Sequence, residues 1–449
     1  MIIQRAGFQR LMEWKNTNNH KPLLVRGARQ VGKTTLVKDF AREFDNYIEL
    51  NLERKADKAL FEIDDAVKIL NAIFFEKGIK PNKGSVLLFI DEIQEEPIAI
   101  KQLRYFYEEN PSIYIIAAGS LLEFALDKVP SFPVGRIDYL YLYPVNFEEY
   151  LGAAKNELAV EVLNEVPVPD YAHKSLMDSF NEYAMIGGMP EILSKYLEDK
   201  NLVNLTKLYS KLWQSYKDDI EKYSKSDVAK KVIRHIMTTA PYQLSRIKYV
   251  GFGKSNYKSR EVGEALLSLD LAKVIQIIYA STDTELPIMS DLRKRPRLQF
   301  IDTGMLSQIL LLQGEMLRLS DFSSLYRGEI IQHIIGQELI SIHQDIPYKP
   351  NFWVREKKGS SSEVDLIYRV RNIVIPIEIK SGKVGTLRSL HQFVEAAPHP
   401  YAVRIYGGEF MVEKAVTPAG TPYLLMNMPY YLGTKIPEYL EYFVENYSL

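Results

Sequence analysis

The chain has 449 residues, 46 % hydrophobic and 25 % charged, a globular composition with enough material for about three domains. It has no cysteine, which excludes disulfides, thiolate metal sites and a cysteine nucleophile, and suits a reducing compartment. A net charge of −1 excludes a global field for nucleic acid, so any such binding rests on local patches, and no apolar run reaches the ~18 residues of a membrane span. A soluble, cytoplasmic protein with no membrane partner is expected.

Residues 1–146 alternate apolar runs with amphipathic stretches, the pattern of a parallel sheet covered by helices on both faces. The expected strands are Pro22–Gly27, Tyr47–Leu52, Ser85–Ile90, Tyr114–Ala118 and Tyr139–Tyr143. The first breaks into a loop, Gly27, Ala28, Arg29, Gln30, Val31, Gly32, Lys33, Thr34, that fits G-x-x-x-x-G-K-[ST] and restarts as a helix at Thr35. In such a loop backbone N–H groups cradle the α- and β-phosphates of a nucleotide, and the following helix turns its positive end toward them. Lys33 would reach the β- and γ-phosphates and the Thr34 hydroxyl would hold Mg²⁺, so ATP with Mg²⁺ is the expected cofactor.

The third strand ends in Leu88-Phe-Ile-Asp-Glu-Ile93, an apolar run closed by two carboxylates. Asp91 would serve the Mg²⁺ shell, and Glu92 would polarise the water that attacks the γ-phosphate. At the end of the next strand Ser120 is a candidate γ-phosphate sensor, or else a turn serine or helix cap. Arg136 would neutralise phosphate charge from its own subunit or a neighbour's, unless it is a plain surface arginine.

Several stretches together carry a resemblance: Gly27–Thr34, Leu88–Ile93, Gly119-Ser120, Gly135-Arg136, Leu142–Tyr150 and Tyr183-Ala-Met-Ile-Gly-Gly-Met-Pro-Glu191. The chain resembles bacterial and archaeal AAA-superfamily ATPases whose C-terminal half is a domain of unknown function with a restriction-endonuclease-like core. The resemblance implies ATP binding and an AAA-type α/β fold.

Residues 147–226 are rich in helix formers and read as a helical lid, with Gly187-Gly188 either a hinge or an interhelical turn. Residues 227–313 read as two helices, Val228–Ala240 and Ser259–Leu269, then a β-rich run Leu271–Tyr279, an order that suggests a winged helix. Lys248, Lys254, Lys258 and Arg260 cluster where a recognition helix would meet DNA. The same residues suit a solvated helix end or a winged helix that binds protein.

Residues 314–449 open with the amphipathic Gly328–Ile342 and contain Ser362–Tyr368 and Ile373–Gly382 as strands. Because alternate residues of a strand share a face, Asp365, Glu378 and Lys380 are expected on one side of a sheet. Two carboxylates there would hold Mg²⁺, and the ammonium would orient or deprotonate a water for phosphodiester attack. This looks like the PD-(D/E)xK nuclease core, with Gln392 as the polar residue on the following helix. Family members carry a glutamate on the helix packed against this site. Here that position, in Arg327-Gly-Glu-Ile-Ile-Gln-His333, is Gln332, with Glu329 or Glu338 as substitutes. The stretch Gly420–Leu432 reads as a closing strand and helix.

Three readings stay open at this point: a nucleotide-driven switch acting on DNA, a regulatory ATPase with an inactive nuclease-like platform, and an ATP-regulated Mg²⁺-dependent nuclease. Candidate partners besides ATP are DNA, another protein or further copies of the chain.

Overall fold

The computed structural model describes residues 3–63, 65–80, 83–126, 129, 133, 135–222, 224, 226–312, 328–357, 360–381 and 386–449. Arg327, Gly382 and the expected boundary at 313/314 lie outside the described residues. The chain forms two compact units, the first from residues 1–143, 271–273 and 343–347, the second from 144–270, 274–342 and 348–449.

The first unit is built on a five-stranded sheet of β1 (Leu23–Arg26), β2 (Asn46–Asn51), β3 (Val86–Asp91), β4 (Tyr114–Gly119) and β5 (Asp138–Tyr141). Their order is β2-β3-β4-β1-β5, and every pairing is parallel. The five runs expected as strands form these five strands. The inner strand β3 is buried along its whole length, because helices cover both faces of a parallel sheet and leave no polar face. On one face Leu24, Leu88, Ile90 and Ala117 pack with Ile69, Leu70 and Ile73 of the helix Ala66–Lys77 and with Leu103 and Phe106 of Pro97–Glu109. Asp65 caps the first of these helices and Gly78, at φ 64°, ends it. On the other face Trp14, Phe40, Phe44 and Tyr114, with tilted and edge-to-face ring contacts, join the helices Ala6–Lys15 and Lys33–Phe40 to the sheet.

The first segment of that unit stops at residue 143, three residues before the expected boundary at 146. Residues 144–146 belong with the helix that follows: Asn146 and Glu149 form a capping box on Phe147–Ala153. The span expected as a lid carries that helix and Glu157–Leu163, His173–Ile186, Pro190–Asp199 and Leu205–Lys222. Next come the helices Asp227–Thr239 and Ser259–Leu271. β6 (Ile275–Ile278) then pairs antiparallel with β8 (Arg297–Phe300), and between them β7 (Ala280–Ser281) leaves to join a larger sheet.

That sheet contains β9 (Asn351–Lys357), β10 (Ser360–Val370), β11 (Ile373–Ile379), β12 (Tyr401–Tyr406), β13 (Met411–Val416) and β14 (Pro422–Pro429), in the order β13-β14-β12-β11-β10-β9-β7. β10 and β11 pair antiparallel, while β11 and β12 are parallel and joined through the helix Arg388–Val394. Trp353, Val364, Ile367, Leu390, Phe393 and Leu425 form the core beneath that helix. The chain closes with a 3₁₀ segment Tyr430–Lys435 and the helix Ile436–Asn446. Among the described residues no helix is long and apolar enough to cross a membrane.

Candidate active site

The phosphate cradle follows from where β1 stops. Its last residue, Arg26, is succeeded by Gly27, where a Cβ would sit 2.2 Å from the backbone oxygen of Leu142, so no side chain fits. The loop then turns through Gln30, at φ 61°, and Gly32, at φ 96°, the left-handed residue that starts the helix Lys33–Phe40. This places successive N–H groups and a helix N-terminus at the C-terminal edge of the sheet. Arg5 holds the loop from behind, donating from Nη1 to the Val31 oxygen at 2.9 Å and from Nη2 to the Tyr143 oxygen at 2.6 Å.

Lys33 is buried and donates to the Gly27 and Ala28 oxygens at 3.0 and 2.7 Å. Burial pushes its ammonium down to about 8, against the opposing pull of Glu92 and Asp91. The Thr34 hydroxyl donates to Asp91 Oδ2 at 2.8 Å, so the two expected Mg²⁺ groups are already in contact. Burial raises the Asp91 carboxyl, with the Thr34 bond opposing it. Glu92, next along, sits at φ 52°, a conformation disfavoured for a non-glycine residue, and its N–H donates to Asp91 Oδ1 at 3.0 Å. Its carboxylate accepts from Gln94 Nε2 at 2.6 Å. Gln94 Oε1 is buried without a hydrogen-bond partner among the described residues, and a Cβ at Gly119 would meet it at 2.3 Å.

Ser120 is buried just beyond β4, which lies between β1 and β3, so the sheet order brings it beside the loop and the two carboxylates. Ala28, Arg29, Val31 and the exposed Thr35 complete the loop and the first helical turn. Arg136 is placed differently. It precedes β5, whose Asp138 pairs with Leu23 at the start of β1, so the sheet itself separates it from the loop. Four strand residues span roughly 13 Å at about 3.3 Å each. Its guanidinium is half-exposed and donates to Glu108 at 3.0 Å. The reading in which Arg136 serves its own subunit's phosphates is therefore corrected: it sits at the wrong end of the sheet.

The loop fits Mg·ATP, because no side chain fits at Gly27 and the buried Lys33 ammonium donates only to carbonyls among the described residues. Gly27–Thr35 and Lys33 would hold the phosphates, with Thr34 and Asp91 toward the metal. Bound Mg·ATP would supply the phosphoanhydride to be cleaved.

The second constellation lies in the other unit. Leu366 pairs with Ile377, and continuing that register by one residue sets Asp365 opposite Glu378, so both share a face. Glu378 is buried and accepts from Lys380 Nζ at 2.6 Å. Burial first, and the Asp365 charge second, push its carboxyl up to about 7. Asp365 accepts from the Ile379 N–H at 2.8 Å and from Gln332 Nε2 at 3.0 Å. Gln332 is thus in place, and with it a residue that the sequence did not single out: Arg297, 3.5 Å from Asp365 Oδ1.

Four expectations are corrected here. Glu338 cannot substitute for Gln332. Six residues further along a 3.6-residue helix it leaves on another face, where it accepts from Tyr183 OH at 2.6 Å and from the Phe147 N–H at 2.9 Å. Burial there raises it to about 8. Glu329 makes no contact with Asp365, Glu378 or Lys380 among the described residues, and Gln392 accepts from Ser362 at 2.7 Å instead of joining the group. Asp365 and Glu378 do not fit a Mg²⁺ site either. Arg297 stands 3.5 Å from Asp365 Oδ1, where it would oppose a cation, and among the described residues no three His, Cys, Asp or Glu side chains are placed to hold a metal.

Nothing in the sequence marked Arg5, Gln94 or Arg297. For Gln94 the adjacency to Glu92 was the available signal.

Residues 19–151 match the family model described as AAA domain. Residues 177–316 and 327–421 match two models described as domains of unknown function, DUF8612 and DUF4143. No curated protein matches the chain. Among solved structures it is similar to a Walker-type ATPase of Pyrococcus abyssi, at 16 % identity over 69 % of this chain and 96 % of that one, with a TM-score of 0.44. It is also similar to the Aeropyrum pernix ORC1 protein in complex with DNA, at 13 % identity over 71 % and 94 %, with a TM-score of 0.32. The Thermotoga maritima RuvB Holliday junction branch migration motor follows at 14 % identity over 65 % and 93 %, with a TM-score of 0.29. The match to the AAA-domain model spans the loop, both β3 carboxylates and Ser120, so residues 19–151 carry an AAA domain.

Proposed function

We propose that the chain is a Mg·ATP-hydrolysing switch that acts on DNA, its C-terminal domain a nuclease-like binding platform that does not cut. The observation that carries the ATPase part is the contact of Thr34 with Asp91 beside a buried Lys33, with Glu92 one residue on. In this reading Glu92 polarises the attacking water and Ser120 senses the γ-phosphate. The helices Asp227–Thr239 and Ser259–Leu271 with the β6/β8 pair form the winged-helix element, and β10, β11 and β12 with their helices form the nuclease-like core.

DNA is favoured by Lys248, Lys254, Lys258 and Arg260, all exposed around the start of Ser259–Leu271, although Arg260 is partly spent on Glu264 at 2.8 Å. Fluorescence anisotropy with duplex DNA tests this. Binding should weaken steeply with salt, and the Lys248→Glu/Lys254→Glu/Lys258→Glu triple variant should lose it, with a salt slope lower by about one per phosphate contact removed. Absence of binding, or binding indifferent to the triple variant, leaves protein as the partner.

With its own loop out of reach, Arg136 serves a neighbouring subunit in this reading. ATPase activity per chain should then rise with protein concentration, and inactive Arg136→Ala chains mixed with inactive Glu92→Gln chains should regain turnover. Concentration-independent activity without rescue removes Arg136 from the site.

A further inference from the structure

We infer that Arg297 is the built-in counter-ion of the Asp365–Glu378 centre, standing where a divalent cation would have to stand and excluding it. The inference rests on the binding-platform reading of the C-terminal domain and gives that reading its cause.

Arg297 opens β8, and its side chain is 11 % exposed. Its guanidinium lies over the Phe352 ring at 4.5 Å, and Nη1 donates to the Asp365 backbone oxygen at 3.3 Å. Nη2 reaches the Glu363 carboxylate and stands 3.5 Å from Asp365 Oδ1. These contacts fix the group in place, because a planar cation stacked on a ring and bonded on two edges has no second rotamer to move into at low cost.

The charges around it close without a metal. Glu363 is also held by Arg246 at 2.9 Å, and Glu356 by Arg246 at 2.6 Å and Lys294 at 2.7 Å. Glu378 has Lys380. Among the described residues the carboxylates Glu356, Glu363, Asp365 and Glu378 thus face the cations Arg246, Lys294, Arg297 and Lys380, one for one. A dication entering this set would meet no surplus of negative charge and would stand within a few ångströms of a fixed positive one.

Ligand geometry agrees. Among the described residues one carboxylate oxygen of this group, Glu378 Oε2, is buried without a hydrogen-bond partner, whereas Mg²⁺ demands about six oxygens and keeps several waters. The cavity beside Asp365, lined by Arg297, Gln332 and His333, measures ≈ 20 Å³, room for about one water.

The test is a Mn²⁺ titration of the full nucleotide-free chain, with bound metal read by electron paramagnetic resonance. Wild type should show no Mn²⁺ site that depends on Asp365. Arg297→Gln should gain one, tighter than anything the wild type shows there by about tenfold or more, and Arg297→Gln/Asp365→Asn should lose it again. A wild-type site abolished by Asp365→Asn overturns the inference, as does a folded Arg297→Gln that gains none. Should Arg297→Gln fail to fold, Asp365→Asn alone decides. A carboxylate paired with Arg297 loses that pairing and Tm falls, whereas one repelled by Glu378 while awaiting a metal is relieved and Tm rises. A rise, or no change, overturns the inference. DNA binding by the wild type, measured separately, reports on the platform reading itself.

Discussion

Glu92→Gln is expected to bind Mg·ATP as the wild type does and to turn it over at least about a hundredfold more slowly. Three features of the site set this expectation. Glu92 follows the strand end that carries Asp91, its backbone N–H is anchored to Asp91 Oδ1, and its φ of 52° holds the side chain in a conformation the chain would not adopt unaided. Gln94 Nε2 grips the carboxylate at 2.6 Å, and a glutamine at 92 can still accept that bond through its amide oxygen. The substitution therefore keeps shape and contact and removes only the charge that draws a proton from water. Lys33, Thr34 and Asp91 are untouched, so affinity should hold. Equilibrium binding of a fluorescent ATP analogue and single-turnover hydrolysis separate the two quantities. Turnover at the wild-type rate would assign the catalytic carboxylate elsewhere, and lost affinity would make Glu92 part of the binding site.

What the sequence disclosed, and what it hid, divides along the range of the interactions. Gly27, Gly32, Lys33, Thr34, Asp91 and Glu92 act within a few residues of a strand end, so their spacing carries their geometry. Asp365 and Glu378 were legible for a related reason: the alternation of a strand and the register of its neighbour are local facts. Arg5 was not. It reaches Val31 and Tyr143 only because the N-terminal helix packs behind the loop. Arg297 was hidden likewise, since β8 meets β10 far along the chain and no spacing links residue 297 to residue 365. For Arg136 the alternatives stayed open because a residue between two strands has two sheet edges available, and the pairing of Asp138 with Leu23 decides between them. Within the first unit, residues 271–273 and 343–347 return from distant sequence: the Tyr141 N–H donates to the Gln344 oxygen at 2.7 Å, and Lys273 pairs with Glu123 at 3.1 Å. Composition and periodicity cannot announce such returns.

Lys33→Met is expected to abolish nucleotide binding while changing the pH dependence of stability in a direction that identifies the buried charge. Burial holds the ammonium at about 8 against an ordinary value of 10.5, so between those limits the unfolded chain binds more protons than the folded one, and the stability of the nucleotide-free wild type rises with pH. Below about 8 both states are charged and the full penalty, about 3 kcal/mol at most, is present. Methionine keeps the stem and removes that penalty. It also forfeits the bonds to the Gly27 and Ala28 oxygens, a loss that does not vary with pH. The difference in unfolding free energy between variant and wild type should thus favour the variant most at pH 7 and shrink by up to about 3 kcal/mol by pH 10.5. Phosphates supply the missing counter-charge, so wild-type affinity should fall as pH rises through about 8, and the thermal shift that ATP gives the wild type should vanish in the variant. Denaturant unfolding of both proteins across that range, with and without Mg·ATP, measures every term. A stability difference flat in pH would mean that Lys33 is not charged at a cost, and an ATP-dependent shift surviving in Lys33→Met would remove the lysine from the phosphate site.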